Sequence, residues 1–159
     1  MGYCKESSEK PSARGAGMNE DMFDSYLSDD KLLPPLSSKV VAITGTTTGL
    51  GFAIARVAVV KGARLVLLLN RKSERSQRAE EELKNFITEG SETDIKSVPC
   101  DLMSLESVKS AAKEVNKVAN ELGGLDVLCN NAGIMAQSDK RTEDGFEVQM
   151  QTNQISHFF

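Results

Sequence analysis

From Lys39 onward, short apolar runs alternate with longer segments whose apolar residues recur every three or four positions. That alternation is the mark of strand–helix–strand units, in which parallel strands are joined by helices that cover both faces of the sheet. Val40 to Ile43 is a continuous apolar run ending in Thr44-Gly45 and reads as a first buried strand. Gly49 to Gly62 reads as a helix, and Leu65 to Leu69 as a second buried strand. A more polar helical stretch follows from Ser73 to Thr88, with Ala79, Leu83, Phe86 and Ile87 on one face and Gly90 as its stop. Ile95 to Cys100 is a third, weaker strand. Ser104 is placed to cap a helix whose apolar stripe runs Leu105, Val108, Ala111, Ala112, Val115, Val118, Ala119 and Leu122, closed by Gly123-Gly124. A coiled-coil seam would show a similar stripe, but at this length the stripe is the face of a helix packed on a sheet. Leu125 to Cys129 is a fourth strand, and Glu143 to Phe159 carries a helical pattern to the last residue. The fold class predicted is α/β: three layers around a doubly wound parallel sheet of about four strands.

The segment before Lys39 differs. It is rich in Ser, Gly and Pro, has few periodic apolar residues, and holds four basic against seven acidic side chains, whereas residues 39–159 hold fifteen and sixteen. Residues 1–38 therefore read as an acidic leader, disordered or loosely docked, with one turn of helix near Met22 to Leu27. Its acidity argues against an organellar transit peptide. Met1-Gly2-Tyr3-Cys4 invites acylation at Gly2 and Cys4, which would anchor the chain to a membrane. Glu6 stands where Ser or Thr is expected, so an unmodified end is the reading adopted and acylation the alternative.

Composition narrows the function classes. The chain has 159 residues, 40% hydrophobic and 26% charged, with a net charge of -4, which suits one globular domain and lacks the cationic footprint of a nucleic-acid binder. No apolar run approaches the roughly 18 to 20 residues of a spanning helix, so a soluble, cytoplasmic protein is expected. The three cysteines, Cys4, Cys100 and Cys129, are odd in number and far apart, as in a reducing compartment without structural zinc. His157 is the one histidine, which leaves little material for a metal site or a catalytic triad.

The sharpest chemical feature is Thr44-Gly45-Thr46-Thr47-Thr48-Gly49-Leu50-Gly51, directly after the first strand and opening the first helix. Glycines there permit a tight turn and close approach of backbone to a pyrophosphate, while the helix start supplies unpaired N–H groups and a positive dipole end. The spacing Gly-x-x-x-Gly-x-Gly resembles that of the short-chain dehydrogenase/reductase family. Asn130-Asn131-Ala132-Gly133 after the fourth strand resembles the family's Asn-Asn-Ala-Gly motif, and Asp101-Leu102 stands where the family places an Asp that accepts from the adenine amino group. Gln151-Thr152-Asn153-Gln154-Ile155-Ser156-His157-Phe158-Phe159 looks like the helix carrying the family's catalytic-site Asn, in its retinol-dehydrogenase-like variety. The resemblance covers about residues 38–159 and implies a Rossmann-type domain that binds NAD(P) through Thr44, Gly45, Thr47, Thr48, Gly49, Leu50, Gly51, Asn70, Arg71, Asp101, Leu102, Asn130, Asn131, Ala132 and Gly133.

Physical readings stand beside these roles. Asp101 contacts adenine or caps the helix that follows. Asn130 and Asn131 can tie the end of the fourth strand to the first turn, with Thr44 as partner. Cys100 and Cys129, at strand ends, read as small core hydrophobes. An NAD enzyme places a carboxylate roughly 20 residues past the glycines for the ribose 2′-hydroxyl, whereas an NADP enzyme offers Arg to the 2′-phosphate. Here the segment is Asn70-Arg71-Lys72, with two cations and no carboxylate, which favours NADP over NAD unless these residues form a merely solvated basic turn.

In the family, a Tyr, a Lys and a Ser assist hydride transfer between the nicotinamide and a carbonyl or alcohol carbon. The chain's tyrosines are Tyr3 and Tyr26, neither in a Tyr-x-x-x-Lys sequence, so of the catalytic set only Asn153 carries over, in the supporting role of holding the Lys through water. Gln154 and Ser156 depart from the commoner Asn-His-x-Gly-His-Phe pattern. The expectation is the N-terminal, cofactor-binding part of an NADP-dependent oxidoreductase acting on a small molecule, inactive alone, with an exposed sheet edge and a homo-oligomer conceivable once completed. The alternative is a non-catalytic nucleotide-binding or interaction module that completes its sheet with a partner. Resemblance to retinol-dehydrogenase-like members hints at lipophilic alcohols or aldehydes.

Overall fold

The structure is a computed structural model in which Ser25, Leu27 and residues 29–159 are described. Strands β1 (Val40–Thr44), β2 (Leu65–Asn70), β3 (Asp94–Pro99) and β4 (Val127–Cys129) form one parallel sheet in the order β3-β2-β1-β4. Every residue of β1 and β2 is buried. These central strands are covered on both sides, so their sequences are almost wholly apolar, with polar Thr44 and Asn70 only at their last positions. At the edge, β3 mixes buried Ile95 and Val98 with half-buried Lys96 and Ser97. Adjacent residues of a strand point to opposite faces, and this pair shows it. Ser97 Oγ donates to Glu80 at 2.5 Å, and Lys96 Nζ donates to Glu114 at 2.6 Å, on helices that lie on opposite sides of the sheet.

Helices α1 (Gly49–Val60) and α2 (Glu74–Lys84) cover one face; α3 (Leu105–Glu121) covers the other. Val41, Ile43, Val66 and Leu68 pack against Ala55, Ala58, Val59 and Leu83, whereas Val40, Ala42, Leu65 and Leu67 pack against Ala111, Val115 and Ala119. Each fully buried Leu or Val side chain stabilises the fold by about 1.5–3 kcal/mol, and truncating Leu67 to Ala would cost about 2–5 kcal/mol. The caps follow the sequence: Ser73 and Ser76 form a reciprocal capping box on α2, and Ser104 Oγ accepts from Ser107 N at the start of α3. Gly124, at φ +123°, sends its N–H back to Ala119 O at 2.9 Å and ends α3.

Two helical boundaries differ from the sequence expectation. Helix α2 stops at Lys84, four residues before Thr88; Phe86 and Ile87 follow in tight turns. Both side chains still pack against the α1/α2 cluster, which explains their helical spacing without helical backbone. The last helix begins at Val148, not Glu143. Residues 141–147 fold into a short turn closed by an Arg141–Glu147 bridge, with Gly145 at φ +85°. Glu147 then caps the helix, its carboxylate accepting from the amides of Gln149 and Met150. Asp144 is committed elsewhere, accepting from Leu105 N at 2.9 Å and Gln151 Nε2 at 2.7 Å, so the turn is pinned to the start of α3. Helical backbone runs as α4 (Val148–Met150), a π-helical turn over Gln151–Ile155, and α5 (Ser156–Phe158).

Of the acidic leader, residues 29–38 lie against the opposite end of the sheet from the C-terminal strand ends. Leu36 donates to Lys61 O at 2.7 Å, and the buried Lys61 ammonium pairs with Asp30 at 2.9 Å. Gly2, Cys4 and the Met22–Tyr26 stretch lie outside the described residues apart from Ser25. At the other side of the sheet, β4 forms an edge with Val127 and Leu128 exposed.

Candidate functional site

The chain moves outward from β1 through β2 to β3, then returns past β1 to β4, so the strand order reverses between β1 and β4. In open α/β sheets ligands bind outside the carboxyl ends of the strands at this switch point. A groove of about 370 Å³ lies there.

Its floor is the turn after β1. Gly45 takes φ +73° and Gly49 φ +63°, conformations that favour glycine. Gly51 serves close approach instead: a Cβ on it would meet Gly45 O at 2.2 Å and Asn131 Nδ2 at 2.4 Å. The intervening Thr46 is fully buried and bonds twice to Asn70, whose Oδ1 accepts from Thr46 N at 2.9 Å and whose Nδ2 donates to Thr46 Oγ1 at 2.7 Å. Asn70 thus holds the turn from the end of β2. Helix α1 starts at Thr48 without a side-chain cap bond and without an acid in its first turn, leaving its amide end open to an anion.

The turn is tied to β4 through Thr44 and Asn131. Thr44 Oγ1 accepts from Asn131 N at 3.0 Å and Ala132 N at 2.9 Å, and faces His157 Nε2 at 3.0 Å. Asn131 Nδ2 donates to Thr44 O and Gly45 O. Asn130 does not share this task; it faces the separate apolar cavity beneath α3. Consecutive residues leaving a strand point to opposite sides, so a doubled Asn cannot serve one site.

On the third wall, Asp101 lines the groove and is not the cap of the helix that follows. Its Oδ1 accepts from Met103 N at 3.0 Å, shaping the turn into α3, while Ser104 is the cap and Asp101 still lines the groove. Beside it Cys100 is buried; burial, reinforced by the Asp101 charge, pushes its thiol up to about 11, so it stays protonated and serves as a core residue. Asn153 lies in the π-helical turn with its carboxamide clasping the backbone of Ile134: Oδ1 accepts from Ile134 N and Nδ2 donates to Ile134 O, both at 2.8 Å.

Of the sequence-predicted residues, Gly45, Thr47, Thr48, Leu50, Gly51, Asn70, Arg71, Asp101, Leu102, Asn131, Ala132 and Gly133 line the groove. Thr44 and Asn153 stand behind the lining as supports, exposed Gly49 is outside it, and Asn130 stands apart. Sequence reasoning missed Arg75, Ser73, Ile134 and Thr152, which also line it. Thr152 is 5% exposed and its hydroxyl has no partner. Lys72, adjacent to Arg71 in sequence, is not in the lining. No cluster of metal-ligating side chains occurs among the described residues, and no described helix is long and apolar enough to cross a membrane.

Sheet order, glycine turn and groove define a doubly wound α/β domain of the Rossmann type. The short chain dehydrogenase family model matches residues 39–159, and the chain belongs to that family of oxidoreductases. It is 38% identical over 126 residues to the short-chain dehydrogenase/reductase drtF of Aspergillus calidoustus, covering 79% of this chain and 38% of that protein. It is 32% identical over 126 residues to the polyprenol dehydrogenase of Danio rerio, covering 79% and 37%. Among solved structures it is similar to L-sorbose reductase from Gluconobacter frateurii complexed with NADPH and L-sorbose, with a TM-score of 0.56 and 27% identity over 78% of this chain and 45% of that one. The chain therefore spans little more than a third of the length of these curated relatives.

Proposed function

We propose that residues 39–159 form the NADP-binding part of an oxidoreductase that transfers hydride between the nicotinamide and a carbonyl or alcohol carbon of a small molecule. The observation that carries this reading is the groove at the switch point, with an uncapped helix start on one side and Arg71, free of any ion pair among the described residues, at the end of β2. No acidic residue lies between Asn70 and Ser73, where one would favour NAD by binding the 2′-hydroxyl and repelling a 2′-phosphate. The likeness to a reductase complexed with NADPH supports the same choice.

In this reading Thr47, Thr48 and the first amides of α1 bind the pyrophosphate, Asp101 accepts from the adenine amino group through its remaining oxygen, and Asn131 keeps the turn and the end of β4 in register. The bound dinucleotide would supply the hydride. Asn153 is a positioning residue that fixes Ile134 at the groove wall. A general acid typically contributes about 10² to 10⁴ in rate. No Tyr-x-x-x-Lys occurs within the 159 residues, so this chain by itself binds cofactor with negligible turnover. The likeness to polyprenol dehydrogenase and the exposed Met135 next to Ile134 favour a lipophilic alcohol or aldehyde.

Fluorescence titration with NADPH and NADH tests the cofactor choice. NADPH should bind about ten- to a hundredfold tighter, the range expected for charge-assisted hydrogen bonds to a phosphate. Arg71→Ala should remove most of that preference. Equal affinities for the two cofactors in the unmodified chain would refute the reading.

A further inference from the structure

His157 stands beside Thr44 at the corner where β1 meets β4, and the bonds around that pair leave one arrangement of hydrogens. Thr44 Oγ1 has two lone pairs and one hydrogen. The amides of Asn131 and Ala132 donate to it at 3.0 and 2.9 Å and take both lone pairs. The hydroxyl hydrogen must therefore be donated, and of its two acceptors His157 Nε2 is the nearer, at 3.0 Å against 3.4 Å for Cys129 O. Nε2 accepts only when it carries no hydrogen, so the neutral ring holds its proton on Nδ1. Nδ1 faces Asn153 O at 3.2 Å, a group that can only accept, which independently suits that tautomer. The same helical segment bonds to two other strand-end loops, Asn153 to Ile134 and Ser156 Oγ to Leu102 O at 2.6 Å, so His157 supplies its tie to the end of β1.

We propose that His157 is a positioning residue of the groove: as the Nδ1–H tautomer it accepts from the Thr44 hydroxyl, keeps both Thr44 lone pairs on Asn131 and Ala132, and releases one of them when the ring gains a second proton. Once protonated, Nε2 is a donor aimed at an oxygen with no lone pair left. The Asn131 amide is the one to yield, because Cys129 O also lies 3.0 Å from it. The Asn131 side chain holds Thr44 O and Gly45 O, and Gly45 packs so closely on the next residue that a Cβ there would meet Ala132 Cα at 2.9 Å. Loosening that amide therefore reaches the groove wall. Imidazoles change charge between about pH 5 and 8. Among the described residues that line the apolar cavity beneath α3 with His157, Cys100 is the other titratable side chain, and it stays protonated over that range because burial, then the Asp101 charge, pushes it up to about 11. Lys109 of α3 lies over the Phe159 ring at 5.2 Å, Cys129 of β4 packs its side chain on the opposite face of the sheet, and the terminal carboxylate of Phe159 is two residues on. The tie itself is independent of the ligand; its effect on affinity rests on the NADP reading above.

His157 is the one histidine of the chain, so its imidazole resonances are unambiguous in untagged, isotopically labelled protein. The nitrogen spectrum at about pH 8 should show hydrogen on Nδ1 and none on Nε2, and the reverse overturns the assignment. Protection of the Asn131 and Ala132 amides against exchange, corrected for intrinsic rate, should fall along the imidazole titration in the unmodified chain. It should not fall in His157→Gln, whose amide oxygen accepts from the Thr44 hydroxyl without titrating. In NADPH titrations His157→Gln should match the unmodified chain within about twofold at about pH 8 and bind about two- to tenfold tighter than it at about pH 5.5, the worth of one hydrogen bond. Titration of the NADPH phosphates is common to both chains and cancels. His157→Phe, which cannot accept from Thr44, should be weaker than His157→Gln at both pH values. Equal losses in His157→Gln and His157→Phe, with pH profiles parallel to that of the unmodified chain, overturn the positioning role. If the folded chain binds no NADPH at either pH, the NADP reading fails and exchange decides for the tie: unchanged protection across the imidazole titration of the unmodified chain overturns it, whether or not a variant folds.

Discussion

Thr44 Oγ1 accepts hydrogen bonds from the backbone amides of Asn131 and Ala132, while Asn131 Nδ2 returns a bond to Thr44 O. Residues 87 apart in sequence are thereby joined as one corner of the groove. Replacing Thr44 by Val keeps the shape but takes the Thr44 acceptor from the Ala132 amide, whereas the Asn131 amide keeps Cys129 O at 3.0 Å. A buried donor left unpaired costs about 1–3 kcal/mol, so Thr44→Val should lose about 1–3 kcal/mol in urea unfolding. A loss below 0.5 kcal/mol would show that water replaces the hydroxyl without penalty, a magnitude set by the low end for surface substitutions, about 0.5 kcal/mol.

Two glycines of the same turn should respond differently to alanine. At Gly51 the new Cβ meets the backbone oxygen of Gly45 at 2.2 Å, and neither group can yield without moving the turn. Gly51→Ala should therefore destabilise by about 2–3 kcal/mol and abolish nucleotide binding. At Gly49 the Cβ meets nothing within 4 Å, and only the left-handed backbone resists. Gly49→Ala should cost about 1 kcal/mol, measured by the same unfolding titration.

Asn153 both gives and receives a hydrogen bond at Ile134. Aspartate keeps the acceptor and loses the donor, placing a carboxylate oxygen against the Ile134 carbonyl. Asn153→Asp should cost about 1 kcal/mol at this exposed position. The sharper readout is hydrogen exchange of the Ile134 amide, which should quicken in Asn153→Leu, where no acceptor remains, and stay slow in Asn153→Asp.

Acid should weaken the cap of the last helix. The amides of Gln149 and then Met150 bind the Glu147 carboxylate and hold it below its usual value of 4.5. A carboxylate depressed in the folded state contributes stability that is complete above its unfolded value and fades as pH falls through the folded one. Glu147→Gln should flatten the decline of melting temperature below about pH 4.5, measured by thermal scans at descending pH. Some slope should persist. Lys96 lowers Glu114 and Lys39 lowers Asp126 through hydrogen bonds, and at Glu80 bonds from Lys84 and Ser97 outweigh the upward push of burial.

Local pattern carried the fold far. Strands β1 and β2 were legible because both faces of a central parallel strand must be apolar, and α3 because its stripe meets only one layer. The start of the final helix was not, since Glu143 and Asp144 look like ordinary first-turn acids. Asp144 instead joins the start of α3 to the buried Gln151, a contact over 39 residues that no local window contains.

The candidate site divides the same way. Sequence alone determined the glycine spacing, the absence of an acid after β2 and the presence of cations there, because backbone sterics and charge belong to each residue type. Tertiary structure decided which groups face the groove. It turned Asn131 into the tie and Asn130 away, set Asn70 on Thr46, and brought Arg75 to the lining in place of Lys72. The physical reason is direction: successive residues on a strand end or helix start point to different sides, and only the packed sheet and helices choose which side holds the groove.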